Sequence, residues 1–232
     1  MVKPEKMRDF FKARVDGYDE HMQLNVDDFE QIYTIVANPL EQAQKPVNLL
    51  DLGCGTGLEL EAVFQKAPNA FVTGIDLSQE MLDCLVKKYT AKKEQITLIL
   101  GSYLEIPFPE KEYDYALSVM TLHHLTKAEK VIVYQKIFNT LKDKGSYIEA
   151  DYVVKSSEEA DRLDRYHKIK EAHAIKDMYN YHVDIPFSKQ TQIQLFKQAG
   201  FEYIEVVLEL ENACIFKCQK SHHLGGKNVR KT

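Results

Sequence analysis

No stretch of this chain of 232 residues is both long enough and apolar enough to span a bilayer. The amino terminus, Met1-Val2-Lys3-Pro4-Glu5-Lys6, lacks the apolar core of a secretion signal, so a cytoplasmic protein without a membrane partner is expected. Positive charge is in deficit: 30 Lys and Arg face 35 Asp and Glu, and the net charge of −5 argues against nucleic acid as a partner. The exception is the tail after Glu211, where Lys217, Lys220, Lys227, Arg230 and Lys231 occur with no acid among them; it reads as a solvated terminus. Cysteines are few and scattered. Cys214 and Cys218 are close, but they fall in a strand-like run and no second close pair completes a zinc site. Cys54, Cys84, Cys214 and Cys218 therefore read as reduced thiols, and no metal site is expected. Internal repeats and low-complexity segments are absent as well.

What is present is an alternation of short apolar runs and helical stretches, the mark of a parallel sheet covered on both faces. Val47 to Leu52, Phe71 to Ile75, Ile96 to Leu100, Tyr113 to Val119 and Ser146 to Tyr152 read as five strands. Helices are expected over Leu58 to Lys66, Glu80 to Tyr89 and Ala128 to Leu141, the last stopped at Lys144-Gly145. Phe201 to Leu210 and Ala213 to Cys218 are separated only by Glu211-Asn212, which demands a hairpin and hence one reversed strand. The expected fold class is α/β: a Rossmann-like, seven-stranded, mostly parallel sheet with one antiparallel strand in a C-terminal hairpin, and helices on both faces. Residues 1–232 form one domain in this reading. Within it, residues 1–45 form a helical lid of two helices, and residues 155–187 form a helical insertion that reads as one long polar helix and part of the acceptor-site cover.

The densest signal is Leu49-Leu50-Asp51-Leu52-Gly53-Cys54-Gly55-Thr56-Gly57, a buried strand that breaks into a glycine turn before a helix. Such a turn brings bare backbone N–H groups to a ligand at the mouth of a parallel sheet. Leu58 stands where a dinucleotide-binding turn needs its third glycine, and no Gly-Lys-Ser/Thr follows, so the dinucleotide and Walker patterns both fail. About twenty residues on, Gly74-Ile75-Asp76-Leu77-Ser78 places an acid at the end of the second strand. A carboxylate there suits two adjacent ribose hydroxyls, and Ser78 is available to cap the next helix in its stead.

These two segments, at this separation, resemble the class I S-adenosylmethionine-dependent methyltransferases of the small-molecule type, and the resemblance runs from roughly Phe10 to Lys217. It implies S-adenosyl-L-methionine as cofactor. It implies that Gly53, Cys54, Gly55 and Gly57 approach the methionine part and ribose, that Asp51 orients the loop or meets the amino group, and that Asp76 holds the ribose. Leu77 and Met81 would flank the adenine, as would Gly101-Ser102-Tyr103, although Ser102 stands where relatives often carry an acid. Ser118 would meet the methionine amino group through its carbonyl. Phe10 to Asp19 resembles a lid helix, with Arg14 and Tyr18, four residues apart, reaching the cofactor carboxylate if Gly17 leaves the helix continuous.

The resemblance implies transfer of a methyl group to a small-molecule acceptor by in-line displacement, in which the protein aligns the reactants and excludes water. A general base is required only if the acceptor must lose a proton. His123, Asp151 and Tyr152 are the candidates nearest the expected site, with His167, His173 and His182 further along; none has a partner identifiable from sequence. Tyr152, Tyr166, Met178, Tyr179 and Tyr181 suit a partly apolar acceptor, and equally describe an ordinary amphipathic helix. Two alternatives are a cofactor-binding protein of the same fold with a different group transfer, or one with a regulatory or scaffold role. The chain is expected to act as a monomer or homodimer.

Overall fold

The apolar runs pair into one sheet. Its strands are β1 (Val47–Leu52), β2 (Ala70–Asp76), β3 (Ile96–Leu100), β4 (Tyr113–Val119), β5 (Leu141–Tyr152), β6 (Tyr203–Glu209) and β7 (Ala213–Gln219), in the order β3-β2-β1-β4-β5-β7-β6. The computed structural model describes residues 2–41 and 45–220, so Lys227, Arg230 and Lys231 of the basic tail lie outside the described residues. Strands β1 to β5 run parallel, and β7 runs antiparallel to both β5 and β6. The central strands are covered on both faces, which is why β1 and β4 are near-continuous apolar runs rather than alternating ones.

Helices α1 (Met7–Lys12), α2 (Tyr18–Asn25) and α3 (Phe29–Ile35) precede the sheet; α4 (Leu60–Lys66), α5 (Gln79–Lys88) and α6 (Lys127–Thr140) link its strands; α7 (Glu159–Ala172) and α8 (Lys189–Gln198) follow β5. One apolar core lies on each face of the sheet, and a small third one, around Tyr166, Ile169, Ile175, Met178 and Ile185, supports the segment after β5. No helix among the described residues is long and apolar enough to cross a membrane.

Several boundaries differ from the sequence expectation, each for a local reason. The amino-terminal segment makes three short helices rather than two. Helix α1 already ends at Lys12, and Gly17, at φ +76°, caps the start of α2, so Arg14 lies in the link between them and does not share a helix with Tyr18. The long polar helix expected after β5 ends at Ala172, and a 3₁₀ turn, Met178–Asn180, follows. Helix α6 ends at Thr140, before Lys144-Gly145. It is Lys144, not the glycine, that adopts the left-handed conformation there, while Gly145 is needed because a Cβ would sit 2.9 Å from the Lys142 carbonyl oxygen. Helix α8 begins at Ser188, whose hydroxyl accepts the Thr191 N–H.

The sheet is tied to α6 and α8 by a buried polar knot. Glu149 on β5 accepts hydrogen bonds from Tyr134 (3.0 Å), Tyr147 (2.7 Å) and Gln192 (2.5 Å). Lys130 of α6 is fully buried, with its Nζ 3.6 Å from Glu149 and 3.9 Å from Asp151. Burial raises the Glu149 carboxyl, and the Lys130 charge opposes that rise. Removing one partner of such a cluster leaves uncompensated buried charge, which typically costs several kcal/mol. Lys130→Ala is therefore expected to lower the unfolding free energy by about 3–5 kcal/mol in urea denaturation, more than the loss of its methylenes alone.

Candidate active site

Strand order reverses direction between β1 and β4, and the loops at the carboxyl ends of these strands meet there, the place where open α/β sheets bind ligands. The glycine loop is held to β2 by three backbone donors. The N–H groups of Gly53 and Cys54 donate to the Ile75 carbonyl (2.8 and 3.2 Å), and that of Gly55 donates to Asp76 Oδ2 (2.9 Å). Asp76 Oδ1 accepts the Ser78 N–H at 2.8 Å. Ser78 caps α5, as its position suggests, but Asp76 is not left wholly free: each of its oxygens is half engaged and keeps one acceptor site for a ligand. Gly53 has φ +69°, and a Cβ there would lie 2.2 Å from Thr121 Oγ1, so only glycine fits between the loop and the chain leaving β4.

A cavity opens beneath this loop. Of the residues expected at the cofactor, Tyr18, Gly53, Cys54, Gly55, Asp76, Leu77, Met81, Ser102 and Tyr103 line it. Arg14, Asp51, Gly57, Gly101 and Ser118 do not. The Arg14 guanidinium donates to both carboxylate oxygens of Glu5 (3.0 and 3.1 Å) and lies over the Phe10 ring. Ser118 turns its hydroxyl to Tyr147 at 2.7 Å, on the far side of β4. Helices α1 and α2 cover the cavity through Met7, Phe11 and Tyr18. They are pinned by Lys12 to Glu80 (2.8 Å) and by Asp19, which accepts from Thr56 and Lys88 at 2.5 Å each.

Two acids stand behind the loop. Asp51 is buried behind the cavity wall, and its carboxyl meets that of Glu59 and no other hydrogen-bonding group among the described residues. Glu59, which the sequence reading passed over, lines the cavity at 5% exposure. Burial, then the charge of Glu59, raises the Asp51 carboxyl well above its ordinary value, and burial lifts Glu59 to about 7. Two buried carboxyls that face each other, one of them on the cavity wall, suit a cationic group of a ligand. The sequence carries a signal for Glu59, since an acid two residues after the last loop glycine begins a helix whose other inward positions are apolar. Thr121 and Tyr33, which also line the site, carry no such signal.

A second, outer groove adjoins the cavity, and the two share Phe11, Tyr18, Met120 and His124. Met120 holds φ +50°, uncommon for a side chain of its size, and turns the chain off β4 into a 3₁₀ turn, Leu122–His124. His123 and Tyr152 face the groove, and Asp151 lies behind His123 with its Oδ1 2.6 Å from His123 Nδ1. Burial alone would lower His123, but the Asp151 charge and hydrogen bond outweigh it and hold the imidazole above its ordinary value. Burial and the neighbouring His123 lower His124 to about 4. His182 also reaches the groove, stacked on Phe10 with ring centroids 3.6 Å apart. His167 and His173 line neither space, and Tyr166 and Met178 belong to the small third core.

Comparison with known proteins matches this geometry. A family profile described as a methyltransferase domain matches residues 49–145, which span β1 through the start of β5. A carboxy-S-adenosyl-L-methionine synthase of Trichodesmium erythraeum is 30% identical over 191 residues, covering 77% of this chain and 74% of that protein. A second such synthase, from Nautilia profundicola, is 27% identical over 217 residues, covering 90% of this chain and 88% of its own length. Among solved structures, a putative O-methyltransferase of Nostoc punctiforme superposes with a TM-score of 0.68 at 18% identity, covering 94% of this chain and 63% of that one, which bears on the fold alone. The glycine loop, the acid ending β2 and the relatives agree: this chain belongs to the class I S-adenosylmethionine-dependent methyltransferases.

Proposed function

We propose that the chain transfers the methyl group of S-adenosylmethionine to a partly apolar small molecule seated in the outer groove. The observation that carries this reading is the shared wall: Phe11, Tyr18, Met120 and His124 border both spaces, so a donor in one and an acceptor in the other meet across them. When bound, the cofactor supplies an already activated methyl group. The chain's own residues then supply binding, alignment and exclusion of water. Asp76 would accept the ribose hydroxyls, Leu77 and Met81 would flank the base, and Asp51 with Glu59 would meet the amino group. Phe10, Phe11, Met22 and Tyr152 give the acceptor side an apolar wall, with imidazoles toward the donor.

A second reading comes from the relatives named as carboxy-S-adenosylmethionine synthases, which would make the modified cofactor the product rather than the donor. An added carboxylate calls for a cation. No Lys or Arg is among the described residues that line the cavity, and Arg14 of the outer groove is paired with Glu5. This favours methyl transfer, and mass spectrometry of the cofactor after turnover separates the two: S-adenosylhomocysteine supports methyl transfer, and a carboxylated cofactor contradicts it.

Two measurements test the donor site. Asp76→Ala removes a charged acceptor and the anchor of Gly55, so calorimetric titration with S-adenosylmethionine is expected to show affinity reduced by about 10–100-fold, as loss of a charged hydrogen bond worth about 1.5–3 kcal/mol implies. The Asp51–Glu59 pair sets a pH dependence. Both carboxyls are raised in the folded protein, so without ligand their ionisation is resisted, and stability falls as pH rises from the ordinary carboxyl range through Glu59's value of about 7. A cationic amino group favours the ionised pair. Donor affinity should therefore rise as pH rises toward 7, by about tenfold per unit shift, and level off above it. Glu59→Gln should flatten that profile.

A further inference from the structure

Three atoms able to ligate a metal converge at the wall between cavity and groove. His124 Nδ1 lies 3.0 Å from Asp184 Oδ1, and His123 Nε2 lies 3.8 Å from the same oxygen. Both rings are at least nine-tenths buried, and His124 Nδ1 has no hydrogen-bond partner despite its closeness to the carboxylate. The 3.8 Å separation is too long for a hydrogen bond. It does suit two ligands of one ion, because bonds of about 2.1 Å to nitrogen and oxygen place tetrahedral neighbours about 3.4 Å apart. All three ligand atoms fall within 4.8 Å of one another, wider than the about 3.4 Å of tetrahedral ligands, so side-chain rotation draws them inward when the ion binds.

The surroundings are those of a metal centre. His123 presents Nε2 inward because its Nδ1 is held at 2.6 Å by Asp151, the arrangement in which an outer carboxylate fixes a ligating imidazole's tautomer and orientation. Lys130 Nζ stands 3.9 Å behind that carboxylate and places a positive charge on its far side. The two ligand-bearing segments are locked together by the Ile185 N–H, which donates to the His123 carbonyl at 2.8 Å. His182 Nε2 stands 4.0 Å from Asp184 Oδ1, in reach of a molecule bound at a further coordination position. Asp184, 46% exposed, opens that side to solvent.

We propose that His123 Nε2, His124 Nδ1 and Asp184 Oδ1 bind one divalent first-row transition-metal ion at the acceptor end of the site. Two imidazoles and one carboxylate are the donor set of three-ligand zinc sites and of iron(II) sites with open positions. Magnesium and calcium, which take oxygen ligands, do not match it. Three protein ligands leave at least one position facing the groove, where an acceptor bearing a hydroxyl or carboxylate oxygen coordinates and is held against the donor. That role rests on the proposed acceptor groove; metal binding itself does not.

The test uses the full chain stripped with a chelator, desalted and titrated with cobalt(II). Wild-type protein is expected to take up one equivalent and develop the visible bands of a four- or five-coordinate site. Asp184→Asn and His124→Ala should lose those bands, and Asp151→Asn should weaken binding by about 10–100-fold as an outer-carboxylate variant. Asp184 is half-exposed, so its variant is readable even if His124→Ala does not fold. His21→Ala, in the same groove but outside the cluster, should bind cobalt as the wild type does. Binding that is absent in the wild type, or unchanged in Asp184→Asn, overturns the proposal. Calorimetry with S-adenosylmethionine on the same stripped protein separates the two readings: donor binding without cobalt binding overturns the metal site alone, and cobalt binding without donor binding overturns the proposed function alone.

Discussion

The hold of Asp76 on the glycine loop is the constraint on which the rest of the site depends. One carboxylate at the end of β2 takes the Gly55 N–H and the Ser78 N–H, joining the loop after β1 to the start of α5. That join fixes where the loop lies, and the loop's left-handed Gly53 then lets Thr121 approach closer than any side chain would allow. The ends of β1, β2 and β4 therefore close on one cavity, with the donor loop on one wall and the Met120 turn on another. A strained turn at Met120 persists because the backbone bond from its N–H to Ala150 and the surrounding core over-determine it.

Charge in this molecule is distributed by burial rather than by count. The surface is acidic overall, yet the buried acids are the informative ones. Glu149 is satisfied by two tyrosines, a glutamine and Lys130, and serves the fold. Asp51 and Glu59 have only each other, and Glu59 lines the cavity. Asp151 lies between the two cases, tied to Lys130 on one side and to His123 on the other. Two buried carboxyls held against each other beside the glycine loop resist ionisation until a cation is brought to them.

Much of the sheet was legible because its strands are short apolar runs bounded by turn residues, and β1, β3 and β4 begin and end where those runs do. The donor loop and Asp76 were legible for the same reason, since they sit at fixed offsets along consecutive elements. Helix ends were less so: propensity does not say that Lys144 rather than Gly145 takes the left-handed turn, a choice made by the carbonyls of Lys142 and Asp114 crowding the glycine. The pairing of His123 with Asp151 and with Asp184 was not legible at all. Those residues lie 28 and 61 positions apart: the pairing of β5 beside β4 brings Asp151 to His123, and the packing of the post-β5 segment against the Leu122–His124 turn brings Asp184. Arg14 illustrates the converse, because a residue at a suggestive spacing falls beyond the end of α1 at Lys12 and pairs with Glu5.

The most direct test of the site as a whole is a crystal structure of the full chain grown with saturating S-adenosylhomocysteine. The expected result is ligand density under the Gly53 to Gly57 loop, with ribose hydroxyls on Asp76, the amino group at Asp51 and Glu59, and the sulfur facing the wall shared with the outer groove. Density elsewhere, or a sulfur directed away from Met120 and His124, would contradict the arrangement of donor and acceptor described here.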